Sequence, residues 1–154
     1  MSETAPSPSP SDAEVFAHFH DVKIDHDNIA HYRGLMAKKL LFNRCDDCSN
    51  WIYPHRPMCP KCLSWNVTPT EVSGRARLYM YTLIMQSRDP DKPLLEPIPA
   101  AAIEFVEQKG FRYLSQVVNC PLDALAHDMP VELTWIEENG RFWPSFQRAN
   151  DRVS

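Results

Sequence analysis

The sequence predicts a mainly β protein, in which N-terminal helices precede a rubredoxin-like zinc ribbon and a small Greek-key β-barrel of the OB type. Two observations carry this prediction: two C-x-x-C pairs close together near residue 50, and a succession of β-forming segments over the C-terminal half. A chain of 154 residues suits one domain with a small added module. The predicted parts are a disordered tail (1–12), a helical segment (13–41), the ribbon (42–68) and the barrel (69–150).

The N-terminal part combines a polar tail with two helix candidates. Proline and serine dominate the tail, which offers nothing to bury. Asp12 is placed to cap a short helix over 13–20, and apolar residues at nearly helical spacing predict a longer helix over 28–41. His18 and His20 would face different sides of the first helix, so we interpret them as solvated surface and not as metal ligands.

The strongest chemical signal in the chain is its ribbon cysteines. Cys45 and Cys48 form one C-x-x-C turn, and Cys59 and Cys62 form the second. Four thiolates supply the soft, tetrahedral ligand set that Zn²⁺ prefers at a structural site, and they leave no open position for chemistry. Iron in the same cage is the main alternative. Disulfides and a redox C-x-x-C fit less well, because the chain begins without a secretory signal and shows no βαβ pattern.

Charge and hydropathy narrow the class of protein further. The formal net charge is −4, which makes the chain a poor non-specific binder of a phosphate backbone. No run approaches the roughly 20 apolar residues that span a bilayer, so we expect no membrane association, and reduced cysteines favour the cytoplasm. Arg44, Arg56 and Lys61 flank the ligands and would offset part of the thiolate charge. Cys120 lies in a distant apolar stretch and is interpreted as a buried core thiol.

After the ribbon, apolar and polar residues alternate as they do in strands. Gly74 predicts a bend or bulge, and Asn139-Gly140 is a strong hairpin signal. Pro144 is expected at an edge or bulge, and one helical turn is expected over 121–126. The aromatic residues around the ribbon, including Trp51 and Trp65, are expected to cover the metal site and dock the ribbon on the barrel. The predicted strands span 71–86, 100–108, 111–119, 130–138 and 141–149.

A proline-rich stretch over 87–99 interrupts the strands. A loop this long in a small barrel is usually functional or disordered, and its apolar residues Leu94, Leu95 and Ile98 argue against disorder. We interpret it as a stiffened arm that contacts a partner or covers a cleft. A plain surface loop is the alternative.

A series of short motifs runs along the chain in a fixed order: Gly34-Leu35, Leu40-Leu41, Arg44-Cys45-x-x-Cys48, Tyr53-Pro54-x-Arg56-x-x-Cys59-Pro60-x-Cys62, Glu71-Val72-Ser73-Gly74, Tyr81-Thr82, Met129-Pro130-Val131-Glu132 and Pro144-x-Phe146. With these motifs, about three quarters of the chain resembles the zinc-ribbon plus OB-fold proteins that accompany thiolase-type enzymes, a family long described as a domain of unknown function. Ser49 and Asp128 stand where that family usually has glycine, and the closing Phe-Arg-Pro pattern is replaced at 146–148.

The resemblance implies a non-catalytic accessory subunit in lipid metabolism. Such proteins bind thiolase-fold enzymes, which include thiolases, acyltransferases and the retro-aldolases of steroid side-chain degradation, and they help to form an acyl-CoA channel. Some are fused to or paired with MaoC-like hydratases. The residues agree with this role, because no nucleophile elbow, glycine-rich phosphate loop or H-E-x-x-H motif is present. A free-standing enzyme is the least favoured hypothesis.

Candidate contact residues follow from this hypothesis. Arg88, Lys92 and Arg112 are candidates for contacting CoA phosphates. Tyr79, Tyr81 and Met85 are interface candidates, although the two tyrosines suit core packing equally well. The candidates for partner or acyl contact are Leu94, Leu95, Phe142, Trp143 and Phe146.

The competing hypothesis is a single-stranded nucleic-acid-binding module. Zinc ribbons and OB barrels both serve that role, and Arg75, Arg77, Tyr79 and Tyr81 combine basic and aromatic side chains on one strand. The acidic net charge argues against nucleic acid as the partner.

Overall fold

The computed structural model describes residues 8–87, 89–93 and 96–150. No helix in this described part is long and apolar enough to cross a membrane. The elements within it are α1 (Asp12–His18), α2 (Ile29–Met36), β1 (Leu41–Cys45), β2 (Trp51–Ile52), β3 (Val67–Glu71), β4 (Arg75–Ile84), β5 (Ile98–Phe105), β6 (Arg112–Gln116), a 3-10 turn (Leu122–Ala124), β7 (Pro130–Glu138) and β8 (Arg141–Arg148).

Helix α1 begins one residue earlier than predicted and has a different cap. Ser11 is the N-cap and forms a capping box with Glu14, whose carboxylate accepts the Ser11 backbone N–H at 2.7 Å. Asp12 instead pairs with Arg33 of α2, and Arg33 also donates to the Pro10 carbonyl at 2.8 Å. The last part of the predicted tail is therefore anchored to α2, while residues 1–7 lie outside the described residues.

Helix α2 is shorter than predicted because the chain turns towards the ribbon after Met36. Lys38 adopts a left-handed φ of 54°, and β1 begins at Leu41. Gly34 permits this close return: a Cβ at that position would lie 2.6 Å from the Lys39 carbonyl oxygen. The apolar residues that suggested helix beyond position 36 belong to the turn and the first ribbon strand.

The ribbon is a three-stranded antiparallel sheet in the order β2-β1-β3. Its central strand, β1, pairs with β2 through Asn43 and Arg44, and with β3 along its whole length. The strand ends at Cys45, so the sheet delivers the first metal ligand directly. β3 continues in the ribbon sheet to Glu71 before the chain bends at Gly74 into the barrel.

The barrel is a five-stranded antiparallel sheet in the order β6-β5-β4-β7-β8. Its two edges approach each other: Val117 and Phe146 form a parallel bridge, and the Val118 N–H donates to the Phe146 carbonyl at 2.8 Å. Ser115 Oγ donates to the Pro144 carbonyl at 2.8 Å across the same seam. This nearly closed Greek-key arrangement confirms the predicted OB-type barrel.

Local barrel predictions have mixed outcomes. The hairpin at Asn139-Gly140 is confirmed, since both residues have positive φ and the flanking strands pair in register. Pro144 lies in the edge strand β8, as expected. Gly74 forms the predicted bend, but the bulge of β4 lies between Leu78 and Met80.

The ribbon and the barrel share one hydrophobic core. Phe42 of β1 is fully buried against Phe105 and Phe111 of the barrel, with ring centroids 5.4 and 5.1 Å apart. Trp51 stacks on Phe111, and its backbone exchanges two hydrogen bonds with the Gln108 side chain, at 2.9 and 3.3 Å. These contacts fix the metal-binding ribbon at one end of the barrel.

Candidate metal centre and barrel face

The four ribbon cysteines converge on one point. Their Sγ atoms all lie within 4.8 Å of one another. The Sγ atoms of Cys45 and Cys62 are 3.5 Å apart, and those of Cys48 and Cys59 are 3.6 Å apart. A tetrahedral site with Zn–S bonds near 2.3 Å places its sulfur atoms about 3.8 Å apart. The donor set and its geometry therefore fit a structural zinc ion with four thiolate ligands, as the sequence predicts.

Two similar backbone turns produce this convergence. In the first turn the Ser49 N–H donates to the Cys45 carbonyl at 2.9 Å, and in the second the Leu63 N–H donates to the Cys59 carbonyl at 2.9 Å. Ser49 and Leu63 occupy equivalent left-handed conformations, with φ values of 63° and 62°. Ser49 thus adopts the conformation that usually requires glycine after the second cysteine, and the turn keeps its shape.

The second turn also stabilises negative charge on one of its sulfur atoms, that of Cys59. Although burial raises the pKa of the Cys59 thiol, hydrogen bonds from the backbone N–H groups of Cys62 and Lys61 lower that pKa to about 6. The Asn50 side-chain amide adds a contact of 3.8 Å to the same sulfur. Donors directed at the sulfur favour the thiolate, which is the form that binds a metal.

The aromatic residues around the ribbon divide into two groups. Trp51 docks the ribbon on the barrel, as predicted, and its ring also receives the Arg44 guanidinium at 5.6 Å. The prediction is wrong for Trp65, because that side chain is 71% exposed and does not pack on the buried cysteine cluster. Leu63, in the second cysteine turn, is 64% exposed. The ribbon therefore presents two large apolar side chains to solvent.

The outer face of β4, β5 and β6 presents further apolar side chains. Met80, Ala102 and Leu114 are paired neighbours across the three strands. Met80 is 56% exposed and Leu114 is 75% exposed. Ile84 and Ile98 pair at the end of the same face and are also exposed. We call this surface, defined by Met80, Ile84, Ile98, Ala102 and Leu114, the β4–β6 face.

An ion-pair network borders the β4–β6 face. Glu104 is 5% exposed and accepts hydrogen bonds from Arg77 at 2.7 Å and from Arg112 at 3.0 Å. Burial alone would raise the pKa of Glu104, but the two arginine hydrogen bonds outweigh burial and lower it. Arg77 also pairs with Asp128, and the Arg112 guanidinium lies 3.6 Å from the centroid of the Tyr79 ring. Both arginines are thus paired with carboxylates within the protein.

A pair of histidines, His31 buried and His55 half-buried, lies where α2, the ribbon and the barrel meet. The ring centroids of His31 and His55 are 4.8 Å apart, and His55 stacks on Phe42. His31 Nδ1 donates to the Leu41 carbonyl at 2.8 Å. Neither ring nitrogen of His55 has a hydrogen-bond partner among the described residues. Burial, together with the neighbouring His31, lowers the pKa of His55 to about 4.

Sequence reasoning missed this pair, because the two histidines are 24 positions apart. His55 lies inside the Tyr53-Pro54-x-Arg56 motif, at the position written as variable. A histidine at this position was the sequence signal that could have indicated the site. Its half-buried environment becomes visible only in the structure, through the contact with His31 of α2.

Two family models match the chain in succession. The first, described as "ChsH2, rubredoxin-like zinc ribbon domain", matches residues 34–68, and the second, "ChsH2, C-terminal OB-fold domain", matches residues 69–135. A DUF35 domain-containing scaffold protein of Methanothermobacter thermautotrophicus is 30% identical over 101 residues, which cover 64% of this chain and 74% of that protein. The chain belongs to the DUF35 scaffold-protein family. A DUF35 scaffold protein of Methanocaldococcus jannaschii is 31% identical over 101 residues, covering 63% of this chain and 69% of that protein.

One solved structure agrees with the assignment to the DUF35 family, and a second agrees with the fold. A structure described as the Ltp2-ChsH2(DUF35) aldolase matches with a TM-score of 0.72 and 26% identity, covering 82% of this chain and 98% of that chain. A DUF35-family protein of unknown function from Sulfolobus solfataricus matches with a TM-score of 0.56 and 18% identity, covering 90% of this chain and 95% of that chain, and supports the fold alone.

Those predicted contact residues of this DUF35 protein that the structure describes do not form one cluster. Arg88, Leu94 and Leu95 lie outside the described residues. Lys92 has a side chain that is 83% exposed, 3.8 Å from Asp89. Phe146 is fully buried in the barrel core, so its side chain offers no surface to a partner or ligand, contrary to the prediction.

The remaining predicted residues are partly accessible. Phe142 receives the Lys38 ammonium 4.5 Å above its ring. Trp143 packs edge-on against Phe19, with centroids 5.8 Å apart, and also lines a groove beside the barrel seam. Arg112 is paired with Glu104, as described above. Of the two expected CoA-phosphate contacts that the structure describes, Lys92 and Arg112, Lys92 is thus the more exposed.

Three other predictions concern possible reactive groups. His18 is half-buried against Phe19 at the end of α1, and His20 is exposed beside Arg141, so neither approaches the cysteine cluster. Cys120 is only half-buried: it packs at the edge of the core, 3.5 Å from the Pro121 carbonyl. The prediction of a fully buried core thiol is therefore wrong in degree.

Proposed function

We propose that this protein is a non-catalytic accessory subunit that binds a thiolase-fold enzyme and helps to form its acyl-CoA channel. The observation that carries the proposal is the match to the DUF35 chain of the Ltp2-ChsH2(DUF35) aldolase structure, which extends over 98% of that chain at a TM-score of 0.72. The name of the curated relatives, scaffold protein, points the same way.

The chemistry of the metal centre supports a structural role. Four thiolates complete the coordination of zinc, so the ion has no position for substrate or activated water. The site requires reduced cysteines, which suits a complex in the cytoplasm. Its effect is to hold the ribbon strands and the two cysteine turns rigidly at the end of the barrel.

The exposed apolar side chains support an interaction role. Trp65 and Leu63 on the ribbon, and Met80 and Leu114 on the β4–β6 face, are each more than half exposed. Tryptophan and methionine are enriched at protein interfaces, and exposed apolar side chains that contribute little to folding mark such surfaces. The enzyme partner would be a thiolase, an acyltransferase or a steroid side-chain retro-aldolase, and a MaoC-like hydratase could join the same complex.

The test is reconstitution with the product of an adjacent thiolase-like gene. We expect the two chains to co-purify as a defined complex, and the enzyme to turn over its acyl-CoA faster with this protein than without it. Trp65→Ala should weaken the complex by about thirtyfold, the effect of removing an interface hot spot of about 2 kcal/mol. Phe16→Ala is the matched control, because Phe16 is also an exposed aromatic residue, 49% exposed, but lies on α1 away from the ribbon.

Two outcomes would contradict the proposal. One is an enzyme whose assembly and activity are the same with and without this protein. The other is salt-dependent retention of the pure protein on single-stranded DNA, which would favour the nucleic-acid hypothesis. The internal pairing of Arg77 and Arg112 with Glu104 predicts little retention.

A further inference from the structure

A groove of about 550 Å³ crosses the outside of the barrel, from β4 and β5 over β6 to the seam with β8. This volume is within the range of small-molecule binding sites. Ala100 of the middle strand, β5, lines the groove and is paired with Thr82 on one side and Gln116 on the other. Because its side chain is small, the sheet is lower there than at the larger neighbouring residues.

The walls of the groove are apolar and exposed. Leu114 stands on one side with 75% of its side chain accessible, and Ile84 and Ile98 stand on the other at 39% and 36%. Trp143 and Pro144 of β8 line the far end. The side chains of Leu114, Ile84 and Ile98 lie outside the barrel core and add little to the stability of the free chain. They could bury apolar surface against a ligand.

The polar groups of the groove do not suit an anion. Gln86, Ser115 and Gln116 are neutral donors and acceptors, and the only charge among the described lining residues is the carboxylate of Glu138. The described cations that could serve a phosphate lie elsewhere: Arg112 is paired with Glu104, and Lys92 lies beside Asp89. The groove therefore complements an uncharged chain with a few polar atoms.

We propose that this groove binds the uncharged, apolar chain of an acyl thioester, and that the anionic head group of that ligand remains outside the groove. The inference rests on the proposed function, and it specifies that the acyl chain is the part of the ligand that the barrel groove holds. Leu114, Ile84 and Ile98 contact the chain, and Ala100 leaves room for it. One N–H of the Gln116 side chain donates to Ser145 Oγ at 3.4 Å, and its second N–H is left to donate to the carbonyl end of the chain.

The experiment is an NMR titration of the full-length protein, which also detects the weak binding expected of an open groove. The probes are octanoyl-CoA, CoA without an acyl group, octyl glucoside as an uncharged alkyl chain, and a short oligothymidylate. We expect octanoyl-CoA and octyl glucoside to shift the amide signals of Ala100, Leu114 and Gln116 and the indole signal of Trp143. CoA alone should leave these four signals unchanged.

A variant pair tests the site itself. Leu114→Gln should weaken binding of octyl glucoside about tenfold, which corresponds to about 1.4 kcal/mol of lost apolar contact. Val106→Gln is the matched control: Val106 is 59% exposed just beyond the end of β5 and does not line the groove, so its variant should bind like the unmodified protein. Both positions are exposed, and the amide spectrum of each variant reports whether it is folded.

Several results would overturn the inference. They are equal shifts with CoA alone, shifts only with the oligothymidylate, no groove shifts with either alkyl probe, or equal losses in the two variants. Failure of the proposed function is distinguishable, because partner assembly is measured separately. A chain that assembles with its enzyme but shows no alkyl-dependent shifts refutes the groove assignment alone. Alkyl binding without any enzyme partner refutes the accessory role and leaves the groove assignment standing.

Discussion

Acidification should destabilise this protein through His55. The ring is half-buried between Phe42, His31 and Tyr53, its two nitrogens are buried without a partner among the described residues, and its pKa is lowered from 6.5 to about 4. Since the folded-state pKa lies below the unfolded-state value, the unfolded chain binds more protons between pH 6.5 and pH 4. The free energy of unfolding must therefore fall as the pH falls through this window.

The magnitude follows from the size of the shift. At about 1.36 kcal/mol for each tenfold change in proton affinity, the difference between a pKa of 6.5 and one of about 4 gives an upper limit of about 3 kcal/mol. Solvent reaches part of the ring, so the expected loss is about 2 kcal/mol. Neighbouring groups act on the pKa of His55 in both directions: His31 lowers it, whereas Asp25 and Asp27 raise it.

The assay is urea unfolding, followed by tryptophan fluorescence, at a series of pH values from neutral to about 4.5 with saturating zinc. His55→Phe preserves the stacking on Phe42 and removes the titrating group. We expect the variant to lose most of the pH dependence that His55 supplies to the unmodified protein. His26→Gln is the control, because the His26 side chain is 93% exposed and should leave the slope unchanged.

Acid also protonates the cysteine ligands and releases zinc, and it does so in both proteins. The decisive quantity is therefore the difference in unfolding free energy between the unmodified protein and His55→Phe at each pH. The reasoning fails if unfolding free energies of the unmodified protein and His55→Phe differ by the same amount at every pH. A constant difference would mean that the His55 ring takes up its proton equally well in the folded and unfolded chains.

Three further predictions concern the metal site, a backbone turn and the ion-pair network. Cys59→Ser should abolish stoichiometric zinc binding, measured by elemental analysis, and lower the melting temperature. With three thiolates, the site loses most of the free energy that zinc binding contributes to folding. Gly74→Ala should lower the free energy of unfolding, measured in urea, by about 2–3 kcal/mol, because φ is +84° and the new Cβ would lie 2.9 Å from the Leu133 Cβ. Gly140→Ala is the control: φ there is +75° but the space around the residue is open, so the loss should be only about 1 kcal/mol. Glu104→Ala should cost about 2–3 kcal/mol by the same assay, since Arg77 and Arg112 would lose their shared carboxylate; a cost below 0.5 kcal/mol would show that the network is not structural.

The features that the sequence predicts well are those with a local cause. Two C-x-x-C turns each need only a few neighbouring residues, and the Asn139-Gly140 hairpin needs two residues that tolerate positive φ. The strand β7 has the predicted bounds, Pro130–Glu138, because alternation and flanking turns define it from both sides. Local signals of this kind also place the metal ligands correctly.

The features that the sequence does not predict depend on contacts between distant residues. Trp65 looks like a residue that covers the metal, but the direction of its side chain is set by the turn after Cys62 and by β3, and it points to solvent. Phe146 looks like a contact residue at a barrel end, yet the pairing of β8 with β7 directs it into the core. The end of α2 is decided by the return of the chain past Gly34, not by helix propensity.

Zinc and the proposed groove are linked through a short series of packed rings. The metal fixes the end of β1 at Cys45, and Phe42, on the same strand, packs on Tyr113 with centroids 5.3 Å apart. Tyr113 also packs on Tyr53, which lies six residues before Cys59, the first ligand of the second cysteine turn, and it lines the groove beside the seam. Because packed side chains transmit displacement and do not yield like a liquid, the position of Tyr113 depends on the ribbon. The zinc ion has no open coordination position for catalysis, but through these contacts it still influences the shape of the proposed groove.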